Sequence, residues 1–196
     1  MAKKMNLPNT LSLIRVLLVP FFMAAALFMQ GIPLWGRIVP ALLFALASFT
    51  DFLDGKIARK YGLVTDFGKF IDPLADKFMV FGALITILVI DPAVAPVFVW
   101  VAAVVMLREL AITSLRLVVA GKEGLVIAAS FFGKLKTVSQ IVAILLILLE
   151  PLFVGVAFVF EIRIVSYAAM TLMAVTTVAS GLDYMKAYMP LVDTNK

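Results

Sequence analysis

The sequence predicts an all-α integral membrane protein built from six transmembrane helices. Three observations carry that prediction. Of 196 residues, 64% are hydrophobic, against about 45–50% in an ordinary soluble domain. Apolar runs close to the ~20 residues needed to cross a bilayer recur six times along the chain. The positive charge, net +5, gathers at alternate connections instead of spreading evenly, which is how membrane topology is set.

The first run covers residues 11–29. It is long enough to span and has no clear small-residue cleavage site, so it reads as a helix and not as a signal peptide. Pro8-Asn9-Thr10 precedes it, with Asn9 as the expected N-cap. Gly31 and Pro33 end it. The second run covers 35–58 and the third 70–90, closed by Asp91-Pro92. The fourth, 95–120, stops at Gly121-Lys-Glu-Gly124, and the fifth, 131–149, stops at Glu150-Pro151. The sixth covers 164–188. The apolar stretch 151–160 is too short to span and reads as a helix extension or an interfacial segment. No linker, composition break or internal repeat divides the chain, so a single membrane domain over 1–196 is expected.

Lys3, Lys4, Lys56, Arg59, Lys60, Lys69, Lys122, Lys134 and Lys136 fall at the N-terminus and at the second-to-third and fourth-to-fifth connections. Only Arg37 and Arg163 lie near the opposite connections. Both termini are therefore expected in the cytoplasm. Trp35, Trp100, Tyr184 and Tyr188 read as interfacial aromatics. The chain contains no cysteine and no histidine. That excludes disulfides and thiolate or imidazole metal sites, and leaves only hard cations held by oxygen. It also excludes a histidine base, so a carboxylate or a lysine would have to move any proton.

Against this apolar background stand Asp51, Asp54, Asp72 and Asp76. A carboxylate at membrane depth costs at least ~2.5–3.5 kcal/mol, so something must neutralise four of them. Asp51 and Asp54 are three apart, and Asp72 and Asp76 four apart, so each pair shares a helix face. The connection between the two helices is short and basic, which makes them antiparallel neighbours whose acidic faces can meet at the cytoplasmic side. Four negative charges match two divalent cations, and metals ~3.5–4 Å apart clamp in-line displacement at phosphorus. Gly55, Ala58 and Gly68 accompany the acids, either leaving room for a ligand or serving helix packing. Pro73 reads as a helix start or kink. Asp66 reads as ordinary loop charge. Two other readings of the acids are loop charge without a metal and the ion pathway of a metal or ion transporter. Pathway acids are usually dispersed in depth, whereas these cluster.

The whole segment reads Asp51-x2-Asp54-Gly55-x2-Ala58-Arg59-x8-Gly68-x3-Asp72-x3-Asp76. It resembles the signature of the CDP-alcohol phosphatidyltransferases, with eight fixed positions over 26 residues. The resemblance implies transfer of a phosphatidyl or related group from a CDP-linked donor to an alcohol, with release of CMP. It implies that Asp51, Asp54, Asp72 and Asp76 hold two divalent cations, Mg²⁺ or Mn²⁺. Asp76, also a metal ligand, is the implied general base. The donor nucleotide would meet Asn9, Asp51, Gly55, Ala58, Arg59 and Gly68. Asn9 thus has two readings, cap and nucleotide contact. The family often forms dimers, which makes a homodimer one expected assembly, and no nucleic acid is expected as a partner.

The acceptor is read from other residues. Asn6-Leu-Pro-Asn-Thr-Leu-Ser-Leu-Ile-Arg15, Leu107-Arg-Glu-Leu-Ala-Ile-Thr-Ser-Leu-Arg116, Val126-Ile-Ala-Ala and Gly133-Lys-Leu-Lys-Thr137 resemble the bacterial members of the family that use glycerol 3-phosphate. That implies CDP-diacylglycerol as donor and the bacterial cytoplasmic membrane as location. Arg108 and Arg116 are eight apart, two turns along a similar helix face, and Lys134 and Lys136 open the next span on the same side. Such a cluster suits a small dianion, which arginine grips through paired N–H groups. The competing readings are loop lysines, a local Arg108–Glu109 ion pair, and Thr113 and Ser114 bonding only their own helix. Serine, inositol phosphate and phosphatidylglycerol remain alternative acceptors. Arg15, deep in the first span, needs a partner, either an acidic-site neighbour or a lipid phosphate.

Overall fold

The computed structural model describes residues 6–63, 65–120 and 131–192. Lys3, Lys4, Lys122, the turn 121–124 and the segment 126–129 lie outside these, as does the side chain of Arg59. Every regular element among the described residues is a helix, and six of these helices are long and apolar enough to cross a membrane. The protein is a multi-pass membrane protein.

Helix α1 runs Leu7–Phe28 and starts earlier than its apolar run. Asn6, not Asn9, is its N-cap: the Asn6 side chain accepts from the Asn9 N–H at 3.1 Å. Pro8 falls within the first turn, where its missing N–H costs nothing, so the polar residues 7–10 join the helix. Helix α2, Trp35–Tyr61, stops at Gly62, whose φ of 63° is the left-handed conformation that glycine adopts freely. Helix α3, Asp66–Ile90, also starts early, because Thr65 caps it by accepting from the Gly68 N–H at 3.0 Å. Pro73 therefore sits inside α3 and is not its start. Helices α4, Ala95–Ala120, and α5, Phe131–Leu149, match the expected spans. After α5 a 3-10 turn at Glu150–Phe153 and the short α6, Phe158–Glu161, occupy the stretch too short to span. Helix α7, Ile164–Tyr188, completes the set, followed by a 3-10 turn at Met189–Leu191.

Successive long helices run in opposite directions. The starts of α1, α3 and α5 thus share one end of the bundle with the finishes of α2, α4 and α7. Helix α1 packs between α2 and α3, which touch each other only sparsely. Helices α4 and α5 both pack on α7, and α5 joins the two groups through α2 and α3. The core between them is formed by Phe22, Phe44, Met79, Leu84, Ile144 and Met170, among others. The Phe22 and Phe44 rings lie 5.7 Å apart and tie α1 to α2. A Cβ on Gly82 would stand 2.8 Å from Val19 Cγ1, so only glycine permits the observed approach of α1 and α3. In lipid, where no water-driven collapse holds helices together, such close contact is the main adhesive.

At the end opposite the aspartates, Arg163 ties three elements together. Its Nη1 and Nη2 donate to Asp91 Oδ1 and Oδ2 at 3.0 and 2.5 Å, and its Nε donates to Glu150 Oε2 at 3.1 Å. Glu150 also accepts from the Val165 and Ser166 N–H groups at 3.0 and 2.8 Å, which caps the start of α7. Asp91, Glu150 and Arg163 are all buried.

Candidate active site

Helix α1 builds the site by wedging a polar face between the acidic faces of α2 and α3. The Ser12 hydroxyl, fully buried, stands 2.6 Å from Asp72 Oδ1 and 3.3 Å from Asp54 Oδ2. One turn along, Arg15 has no exposed surface at all. Its Nη1 stands 2.9 Å from Asp51 Oδ1, and its Nη2 donates to Asp54. Arg15 therefore finds its partner in the acidic site and not in a lipid phosphate. Its Nε has no hydrogen-bond partner among the described residues, which marks an incompletely satisfied buried charge. Asp76 lies within electrostatic reach of Asp51 and Arg15 and of Lys136 and Glu109.

These acids fit a hard cation by the chemistry of their donor set. Asp51, Asp54, Asp72 and Asp76 supply only oxygen, and the guanidinium of Arg15 offsets one of their four charges. The surplus of negative charge in a half-buried setting favours a divalent ion over further side-chain pairing. Among the described residues, no three acids are already drawn together as a metal cage.

Beside the aspartates, between the starts of α1 and α3 and the end of α2, lies a pocket of about 70 Å³ lined by Asn9, Ala58, Thr65, Gly68, Lys69 and Asp72, among others. Four of these were singled out from sequence: Asn9, Ala58, Gly68 and Asp72. Asn9 exchanges hydrogen bonds with Thr65 across the pocket at 3.0–3.1 Å. A Cβ at Gly68 would press to 3.0 Å from Asn9 Oδ1 and 3.8 Å from Asp72 Oδ2, so a side chain there would narrow the pocket. Gly55, half-buried on α2, is not among the described lining residues.

The four acceptor candidates separate. Lys136 is buried and forms an ion pair with Glu109. Lys134, two residues away and so nearly opposite on the helix, is exposed. Arg108 reaches Glu109 Oε1 at 3.4 Å, as its sequence position allowed, and donates to the Ser180 hydroxyl of α7 at 2.6 Å. Arg116 donates to the Tyr184 hydroxyl. Tyr184 is 2% exposed, which corrects its reading as an interfacial aromatic. Its ring faces α4, where the guanidinium carbons of Arg108 and Arg116 stand 5.6 and 4.8 Å from its centroid. Trp35 and Trp100 are exposed. Thr113 bonds the Glu109 carbonyl at 2.7 Å, a purely local contact.

Sequence reasoning missed Ser12, Thr65 and Ser180. No charge or pattern marks a lone hydroxyl in an apolar helix. It also missed that Glu109 serves Lys136 as well as Arg108.

Comparison with known proteins identifies the family. A model of the CDP-alcohol phosphatidyltransferase family matches residues 5–181. A Bacillus subtilis (strain 168) protein named CDP-diacylglycerol–glycerol-3-phosphate 3-phosphatidyltransferase is 44% identical, over 91% of this chain and 93% of its own. A probable phosphatidylglycerophosphate synthase of Mycobacterium tuberculosis (strain H37Rv) is 40% identical, over 94% and 82%. A further 3-phosphatidyltransferase of the same name, from Salmonella typhimurium (strain LT2), is 36% identical, over 93% and 94%. With the eight signature positions carried on α2 and α3 and a match across nearly every helix, the chain belongs to the CDP-alcohol phosphatidyltransferase family, a family of membrane-embedded transferases.

Proposed function

We propose that the protein transfers the phosphatidyl group of CDP-diacylglycerol to glycerol 3-phosphate, giving phosphatidylglycerophosphate and CMP. The observation that carries this reading is the contact of Ser12 and Arg15 of α1 with Asp51, Asp54 and Asp72, beside the pocket lined by Asn9, Ala58 and Gly68. The names of the bacterial relatives support the choice of donor and acceptor.

The nucleotide end of the donor suits the pocket between α1 and α3. Both helices begin there, and helix starts present N–H groups and positive dipole ends to a phosphate. Lys69 at the pocket rim adds a full charge. Two divalent cations, Mg²⁺ or Mn²⁺, held by Asp51, Asp54, Asp72 and Asp76 would offset the negative charge that develops on the diphosphate. Arg15 keeps Asp51 and Asp54 in place and lowers the repulsion among the acids. The phosphate of the acceptor is drawn toward Arg108 and Arg116, with Lys134 supplying long-range attraction and Lys136 held by Glu109 near Asp76. Asp76 takes the proton from the 1-hydroxyl as that oxygen bonds to the phosphorus bearing diacylglycerol. The bond from this phosphorus to the bridging oxygen breaks, and CMP leaves with the electron pair. The basic residues Lys56, Lys60, Lys69, Lys134 and Lys186 share the site's end of the bundle, while Arg37 and Arg163 lie at the other. By the positive-inside rule the site and both termini face the cytoplasm, in the inner membrane of a bacterium.

The test is release of CMP from CDP-diacylglycerol by purified protein with Mn²⁺ or Mg²⁺, comparing glycerol 3-phosphate with serine, inositol phosphate and phosphatidylglycerol. Release only with glycerol 3-phosphate is expected. Release driven by another alcohol would replace the acceptor, and no release with any would remove the reaction. Asp76→Asn should lose about 10²–10⁴ of the rate that general-base catalysis supplies, with an unchanged melting profile. Full activity in that variant would take Asp76 out of the proton transfer.

A further inference from the structure

The family match ends at residue 181, yet the most elaborate contact of the two candidate acceptor arginines lies just beyond it. We propose that Tyr184 is a positioning residue: it fixes Arg108 and Arg116 as one paired anion site and so determines affinity for a phosphate-bearing acceptor. This rests on the glycerol 3-phosphate reading above.

The geometry is specific. Ser180 and Tyr184 are one turn apart on α7, on the face turned to α4. Ser180 receives Arg108 Nη2 at 2.6 Å, and the Tyr184 hydroxyl receives Arg116 Nη2. The Tyr184 ring lies under both guanidinium groups, at 5.6 Å for Arg108 and 4.8 Å for Arg116. Between the two, a Cβ on Gly181 would come within 3.2 Å of Arg108 Cγ, so glycine gives the Arg108 stem its room. Tyr188 stacks on Tyr184 with centroids 5.9 Å apart and backs the ring from the helix end.

Two like charges on one helix repel, and a ring face attractive to both offsets that. Buried ring and hydroxyl together also remove rotamer freedom from two long side chains, which an anion would otherwise have to order on binding. Arg108 Nε has no hydrogen-bond partner among the described residues, so donor capacity remains in the pair. The ligand class that uses it is a small phosphate monoester dianion, matched by the planar forks of two arginines. Tyr184 touches the two arginines of α4, so its work belongs to the acceptor and not to the CDP chemistry carried by α2 and α3.

The experiment uses the full-length protein in lipid–detergent micelles. Tyr184→Phe keeps the ring and deletes the Arg116 bond. It should raise the KM for glycerol 3-phosphate roughly tenfold, as loss of one charge-assisted hydrogen bond would, with the KM for CDP-diacylglycerol and the kcat within twofold. Tyr184→Leu should raise it further. Thermal stabilisation by inorganic phosphate should weaken in step. A wild-type KM for glycerol 3-phosphate in Tyr184→Phe would overturn the proposal, and so would an equal rise for both substrates. Should the wild-type protein release no CMP with glycerol 3-phosphate, the acceptor reading fails by itself. The phosphate measurement then decides for Tyr184: weakened stabilisation in Tyr184→Phe supports its role, and unchanged stabilisation ends it.

Discussion

The two ends of the bundle hold charge in opposite ways. At the far end Arg163 makes a two-point contact with Asp91 and a third bond to Glu150, while Glu150 caps the start of α7. With Arg37 nearby, two bases face two acids, and among the described residues of this group Arg37 Nη1 alone lacks a partner, while every side-chain nitrogen and oxygen of Asp91, Glu150 and Arg163 is partnered. At the near end Asp51, Asp54 and Asp72 share one arginine and a serine, and Arg15 and Arg108 keep nitrogens without partners among the described residues. A nearly closed network holds helices together and has little left to give a ligand. An open one is costly in the resting protein, and that cost is the mark of a binding site.

Substitutions should separate the two ends cleanly. Asp72→Asn ought to have the largest effect, lowering turnover by about 10²–10³ or more through lost electrostatic stabilisation. Its thermal stability should equal or exceed wild type, because removing one of four like charges relieves repulsion. A matching fall in stability would make Asp72 a structural residue. Arg163→Met should do the reverse: a stability loss of about 3–5 kcal/mol, the usual result of stranding a buried partner. Unfolding by denaturing detergent measures it, and activity per folded molecule should hold. Ser12→Ala removes one hydroxyl shared between Asp54 and Asp72, so turnover should fall by roughly tenfold to a hundredfold, the value of one hydrogen bond to a charged group. Lys69→Ala breaks an exposed pair with Asp66 that is worth under about 0.5 kcal/mol. Its melting profile should not move, and only the KM for the donor should rise, given the position of Lys69 at the pocket rim.

The same contrast explains what could be read from sequence. Helix number and order followed from apolar run length, because a bilayer imposes one length on every span. The starts of α1 and α3 were placed late, at 11 and 70 instead of Leu7 and Asp66, because polar first turns held by Asn6 and Thr65 do not look like hydrocarbon. Asp51, Asp54, Asp72 and Asp76 were legible because helical spacing is local. The wedge of α1 between α2 and α3 was not, since it depends on Ser12 and Arg15 meeting acids about 40 to 60 residues away. Asp91 and Glu150 read only as turn signals, and their joint hold on Arg163 spans 72 and 13 residues. Tyr184 was misjudged because an aromatic near the end of a span looks alike whether it faces headgroups or a neighbouring helix.

The most direct test of the contrast is Mn²⁺ binding to the purified protein, followed by electron paramagnetic resonance without substrate. Wild-type protein and Arg163→Met should both take up Mn²⁺, and Asp72→Asn should lose most of that uptake. Equal binding by Asp72→Asn and wild type, or no binding by any, would contradict the assignment of the open acidic end as the cation site.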